Sequence, residues 1–208
     1  MARASFTLRC DAPLQEGFYT LNTYSMEKLM REAKPGIRIN IPGFGELHIK
    51  AICSDYTGTL SCEGKLISGV KKRLRELGRV VDIHIVTSDT RKTARRELEP
   101  LTREGSVTLR DQIELDDHDR FKRDYAKKLG IDMKHVAIFG NGRNDMKWLE
   151  EVKEKGGLAI AVDVGEGCAV EAMMNANVFV TGITNALDLL LDEKRVIGTL
   201  RTKGDKHA

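Results

Sequence analysis

The chain opens without a sustained hydrophobic period. Residues 1–35 mix apolar and polar positions irregularly and read as an N-terminal extension that packs either on the main domain or on a partner. Order begins at Ile37–Ile41, where apolar and polar residues alternate as in a half-buried strand, framed by the turn-forming pairs Pro35-Gly36 and Pro42-Gly43. An apolar strand over Leu47–Cys53 follows and leads into Asp55. Val70, Leu74 and Leu77, spaced i, i+4 and i+7, predict a helix with one face on a sheet. Val80–Val86 is short and β-branched, a strand; a second helix begins near Arg91, and a short strand covers Val107–Leu109. Phe121, Tyr125 and Leu129 line a further helix, with Gly130 as its C-cap. His135–Phe139 reads as a strand ending at Gly140, and Met146, Leu149 and Val152 mark the next helix. Leu158–Val162 and Asn177–Val180 are two more strands, and Thr184 caps a final helix carrying Leu187, Leu190 and Leu191.

Short strands alternating with helices predict an α/β fold of three layers, a mostly parallel Rossmann-like sheet with helices on both faces. The expected organisation is an extension over 1–35, a catalytic domain over 36–203 and a tail over 204–208. In such sheets chemistry gathers beyond the carboxyl ends of the strands, near the point where strand order reverses. Four segments meet that condition: Asp55 after the first apolar strand, Thr87 after Val80–Val86, Lys122 at the opening of a helix, and Gly140-Asn-Gly-Arg-Asn-Asp145 after His135–Phe139.

Composition narrows the classes of function. A chain of 208 residues, 41% hydrophobic and 31% charged, suits one ordinary soluble domain with a short appendage. The net charge of +3 predicts no nucleic-acid binding, and the basic run Lys71-Lys72-Arg73-Leu74-Arg75 reads as a solvated helix face. No apolar run approaches the roughly 18 residues of a membrane span, and Met1–Arg9 has no continuous apolar stretch of the secretory kind. Cys10, Cys53, Cys62 and Cys168 are scattered, without zinc spacing, as expected of free thiols in a reducing cytoplasm.

Taken together and in this order, the four segments resemble the signatures of the haloacid dehalogenase-like (HAD) superfamily of phosphatases and phosphotransferases. The pattern is most similar to its prokaryotic soluble P-type-ATPase-like proteins, through Ile41-Pro-Gly-Phe-Gly-Glu-Leu47, Asp55-Tyr-Thr-Gly-Thr-Leu60, Val86-Thr-Ser-Asp-Thr90 and Gly140-Asn-Gly-Arg-Asn-Asp145. The likeness runs from about Ile37 to Arg201. It implies that Asp55 is a nucleophile attacking phosphorus, a role suited to a carboxylate because the resulting acyl phosphate is readily transferred or hydrolysed. Thr57 and Thr87 join the catalytic set, with Gly58, Thr87 and Ser88 around the phosphate and Gly58 permitting a sharp turn beside it. Asp89 is expected to cap the following helix. Lys122 offsets charge between phosphate and Asp55. Mg²⁺, which prefers oxygen donors, is expected on Asp55, the Thr57 carbonyl, Asn141 and Asp145, with Asn144 orienting Asp145.

The chain departs from the superfamily pattern at two of these positions. Asn141 stands where an acid is usual, which predicts weaker metal binding. Thr57 stands where many of these phosphatases carry a second Asp, and its hydroxyl cannot shuttle protons near pH 7. Slow turnover, or a preference for good leaving groups, follows. The gaps between Leu60, Thr87 and Lys122 hold a flap around Ser61–Lys65 and single elements, not a cap domain. An open site fits a phosphoprotein, or else a small phosphorylated metabolite under a lid built by a homo-oligomer or by the extension. A capless sugar-phosphate phosphatase acting as a tetramer and a low-activity regulatory or scaffold protein are the alternatives.

Overall fold

The computed structural model describes residues 34–111 and 118–202, giving only the backbone of 118–121 and 126. The expected extension up to residue 33, Cys10 within it, the tail, and the side chain of Phe121 lie outside the described residues. The chain enters through an antiparallel hairpin, β1 (Ile37–Ile41) and β2 (Gly45–Ile49), turning at Pro42–Phe44. Ile39 pairs with Leu47, and these two, with Ile41 and Ile49, are buried on one face, which is the alternation read in the sequence.

The run Leu47–Cys53 is not one strand. It divides at Lys50, and β3 (Ala51–Ser54) belongs to a different sheet. Lys50 hands the chain over: its N–H donates to the His135 carbonyl and its own carbonyl accepts from Asp82. One exposed lysine between Ile49 and Ala51, both fully buried, is too small an interruption for a hydrophobic pattern to register.

The main sheet adds β6 (Asp82–Val86), β7 (Thr108–Arg110), β8 (Val136–Gly140), β9 (Leu158–Asp163) and β10 (Val178–Thr181), after a small flap, β4 (Ser61–Cys62) and β5 (Lys65–Leu66). Its order is β10-β9-β8-β3-β6-β7, with every pairing parallel. Strand β3 is central and buried at all four positions, as expected where helices cover both faces. The helices are α1 (Val70–Leu77), α2 (Ala94–Arg103), α3 (His118–Lys128), α4 (Met146–Glu154), α5 (Val170–Met174), α6 (Ile183–Leu191) and α7 (Glu193–Leu200). Val70, Leu74 and Leu77 are all buried, as their spacing predicts.

Two helix starts differ from expectation, and two helices, α5 and α7, are additional to it. Helix α3 begins at His118, so Lys122 lies in its second turn and does not open it. Helix α6 starts after Gly182 and leaves Thr184 inside the helix rather than at its cap. A further helix, α7, follows; it buries only Val196, too little apolar periodicity to announce itself, and Asp192 caps it through the Lys194 N–H. Asp89 does act as expected, its two carboxylate oxygens accepting from Thr93 and Ala94 at the start of α2.

Helices α1 and α6 are tied by a two-pronged ion pair, Arg73 Nε and Nη2 to the Asp188 carboxylate at 2.7 and 2.9 Å. The hydrogen bonds from Arg73 hold the Asp188 carboxyl below its usual range. A carboxyl lowered on folding stabilises above its unfolded pKa and loses that contribution as pH falls through the folded value. Asp188→Asn should therefore destabilise by about 1 kcal/mol at pH 7, with the difference shrinking below pH ~3.9; urea denaturation of both proteins across that range measures it.

Candidate active site

Strand order reverses between β3 and β8: the chain builds outward from β3 through β6 to β7, then returns to β8 and continues to β10. Asp55 stands at this reversal, its N–H donating to the Phe139 carbonyl of β8 at 3.0 Å. The loop after it is wound tightly, with the N–H groups of Thr59, Leu60 and Ser61 all pointing at the Tyr56 carbonyl. Gly58 adopts φ +72°, and a Cβ there would lie 2.5 Å from the Asn141 amide nitrogen. Both the backbone conformation and the close approach of Asn141 require glycine.

Lys122 is the hub. Its Nζ lies 2.8 Å from Asp55 Oδ1 and 2.7 Å from Asp145 Oδ1, and its side chain is wholly buried. The other oxygen of Asp145 accepts the N–H groups of Asn141 and Gly142, each at 3.0 Å. Asp145 accepts three hydrogen bonds from within the protein, while Oδ1 of Asp55 takes the lysine. Burial pushes the Asp55 carboxyl up, Lys122 pulls it down and Asp145 raises it again, leaving it at about 6. Burial opposes the charge of Lys122, but Asp145 and Asp55 outweigh it and raise its pKa above that of an ordinary lysine. The lysine stays charged, and with both acids ionised the cluster carries one excess negative charge.

Around this hub the structure places the other expected residues. Thr87 is buried at the end of β6, next to β3, and its hydroxyl accepts the Asp89 N–H at 3.0 Å. Ser88 is half-buried beside it, and Asn144 sits in the short turn Arg143–Asp145. The Thr57 hydroxyl is buried with no hydrogen-bond partner among the described residues. Asn141 is held at both ends: its Nδ2 donates to the Gly167 carbonyl at 3.2 Å and its Oδ1 accepts the Thr59 hydroxyl at 3.0 Å. A carbonyl can only accept, so Gly167 dictates which end of the amide faces it.

The oxygens expected at a metal, those of Asp55, the Thr57 carbonyl, Asn141 and Asp145, are all hard donors, and the excess negative charge favours a cation. Among the described residues no three His, Cys, Asp or Glu side chains are grouped to hold a metal. The donors fit a hard, partly hydrated ion bound through few charges, not a zinc-type centre.

Thr59, Gly167 and Glu166 are the participants that sequence reasoning missed. Thr59 lay inside the recognised loop without a role. Gly167 and Glu166 belong to a glycine-rich loop after β9, Val164-Gly-Glu-Gly-Cys168, whose place at the same sheet edge is the signal that could have found them.

No family model matches this chain, and no curated protein matches it. Solved structures do. A 3-deoxy-D-manno-octulosonate 8-phosphate phosphatase from Moraxella catarrhalis, in complex with a magnesium ion, a phosphate ion and a KDO molecule, superposes with TM-score 0.52 at 20% identity, over 74% of this chain and 94% of that one. The cobalt-bound deoxy-D-mannose-octulosonate 8-phosphate phosphatase of Haemophilus influenzae gives TM-score 0.53 at 13% identity, again over 74% and 94%. A protein described as an HAD superfamily (subfamily III A) hydrolase from Legionella pneumophila gives 0.53 at 18%, over 73% and 87%. The chain has the haloacid dehalogenase-like fold. The α/β architecture expected from the sequence is the one observed.

Removing the lysine isolates its role. Lys122→Met leaves two buried carboxylates facing each other without a cation and should cost about 3 kcal/mol or more at pH 7. The facing acids raise one another's pKa, so the loss should shrink as pH falls and they take up protons. Denaturant titrations at neutral and acid pH measure both effects; a small, pH-independent loss would contradict the hub.

Proposed function

We propose that this protein is a Mg²⁺-dependent phosphatase of the HAD type, working through a phosphoryl group carried on Asp55. The observation that carries the reading is Lys122 bridging Asp55 and Asp145 at the switch point of the sheet. A buried carboxylate held by an ammonium at one oxygen is a positioned nucleophile.

The chemistry follows in two displacements. An Asp55 oxygen attacks phosphorus, the bond from phosphorus to the leaving oxygen breaks, and Asp55 becomes an acyl phosphate. Water then attacks that phosphorus, the bond to Asp55 breaks, inorganic phosphate leaves and the carboxylate is restored. Lys122 offsets the charge that gathers between Asp55 and the phosphoryl oxygens. Thr87, whose hydroxyl accepts from Asp89, keeps its own proton to donate to a phosphoryl oxygen, and Ser88 lines the same side. The unpartnered hydroxyl of Thr57 finds its partner in the substrate. Asp55, the Thr57 carbonyl, Asn141 and Asp145 would hold Mg²⁺, which would supply positive charge against the phosphoryl oxygens. Asp145 also acts through Lys122 and the turn it braces, with Asn144 beside it.

Thr57 offers no proton to the departing oxygen, so good leaving groups such as acyl and aryl phosphates react best. A small phosphorylated metabolite is the substrate class this reading favours, handled by a soluble cytoplasmic enzyme. Within that class, a phosphorylated sugar acid is the compound suggested by the fold neighbours that act on 3-deoxy-D-manno-octulosonate 8-phosphate.

Para-nitrophenyl phosphate should be hydrolysed only with a divalent ion present, and Asp55→Asn should lower kcat by roughly 10³-fold or more. Mg²⁺ titration should show weak binding, well above micromolar, because Asn141 brings no charge where an acid is usual. Metal-independent turnover, or turnover retained in Asp55→Asn, would reject the reading.

A further inference from the structure

The sequence has no room for a cap domain, yet the loop after β9 reaches two other segments at this end of the sheet. Strand β9 is separated from β3 by β8, and from β6 by both, so at about 4.8 Å per strand its loop must cross about 10 Å to reach the chain leaving β3. It does so. The loop after β9 touches the β8 turn first, where Gly167 accepts from Asn141 Nδ2 and the Ala169 N–H donates to the Asn141 carbonyl at 2.8 Å. It then reaches the flap that follows β3: Glu166 Oε1 accepts the Glu63 N–H at 2.7 Å. Its far end meets the segment after β6, where Arg91 Nη2 lies 3.4 Å from the same oxygen. The loop after β9 is therefore joined to the turn that carries Asn141 and to the flap that follows Asp55, with Arg91, from the segment after Thr87, beside the same oxygen.

Both partners of this clasp are themselves held. Gly165 and Gly167 take φ +98° and +95°, and both donate their N–H groups to Asp163 Oδ1, at 2.8 and 3.1 Å, which stiffens the loop from below. The flap is pinned at Gly64, whose carbonyl accepts the hydroxyls of Tyr56 and Thr93 at 3.0 and 2.7 Å. Between the two stiff pieces the connection runs through one side chain, that of Glu166, and the exposed guanidinium of Arg91 adds only a long contact.

We propose that Glu166 is a specificity-determining residue: it latches the β9 loop to the flap as a strap over Asp55 and so admits small phosphorylated compounds in preference to bulky ones. This rests on the reading of Asp55 as the phosphoryl acceptor. A single exposed, charge-assisted hydrogen bond makes a shallow latch, so the strap opens readily and a bulky ligand binds only the open fraction. The apparent affinity for bulky ligands then falls by that fraction, while inorganic phosphate, which fits under the strap, is unaffected.

The test uses the full chain, Glu166→Ala and Glu166→Gln, with titration calorimetry against inorganic phosphate and naphthyl phosphonate and amide exchange at Glu63. Glu166→Ala should speed Glu63 exchange and tighten naphthyl phosphonate roughly tenfold, the scale of one such hydrogen bond, leaving phosphate within about twofold. Glu166→Gln keeps an acceptor oxygen for the Glu63 N–H and should stay near wild type in both. Equal shifts for the two ligands, or faster Glu63 exchange with unchanged phosphonate affinity, would overturn the gate. Unchanged Glu63 exchange in Glu166→Ala would overturn the latch itself. Failure of all three proteins to bind phosphate would instead reject the phosphoryl site, a result distinguishable because Glu63 exchange reads the latch without any ligand.

Discussion

Much of this molecule is arranged around one ammonium group with no access to water. Burying Lys122 and two carboxylates is expensive unless the charges meet at short range and the remaining lone pairs are satisfied. Both conditions hold: Lys122 Nζ reaches Asp55 and Asp145 at 2.8 and 2.7 Å, and the outer oxygen of Asp145 takes two backbone N–H groups. Meeting them demands that α3, the end of β3 and the turn after β8 converge on one point. Gly140 is part of the same demand, since a Cβ there would lie 2.6 Å from that of Asp145.

The arrangement also sets the electrostatic character of the site. Two acids and one base leave an excess negative charge, and burial makes that charge costly at Asp55, whose carboxyl is pushed up to about 6. Asn141 lowers the charge available to a metal, and its amide is held in place by Thr59 and Gly167. An aspartate there would set a negative oxygen against the Gly167 carbonyl, so the loop after β9 and the amide suit one another.

The fold was legible because its signals are local. Alternation at Ile37–Ile41, i, i+4, i+7 spacing in α1 and short β-branched runs each correspond to an observed element. What sequence concealed lacked such signals: the passage at Lys50 from one sheet to another, and α7 with its single buried Val196. In the site, Asp55, Lys122 and Asp145 could be chosen from position at strand ends and from motif order, and they do meet. Glu166 carried only the weaker signal of a glycine-rich loop after a strand, because it acts across 103 residues of chain on a backbone N–H of the flap, a contact that no motif records.

The central claim is that Asp55 itself takes up the phosphoryl group. Incubation with acetyl phosphate and Mg²⁺, acid quenching, borohydride reduction of any acyl phosphate and peptide mass spectrometry address it directly. The account predicts reduction of the side chain at Asp55 to the alcohol, absent without phosphoryl donor and absent in Asp55→Asn. Modification at another carboxylate, or none at Asp55 under conditions where acetyl phosphate is consumed, would contradict it.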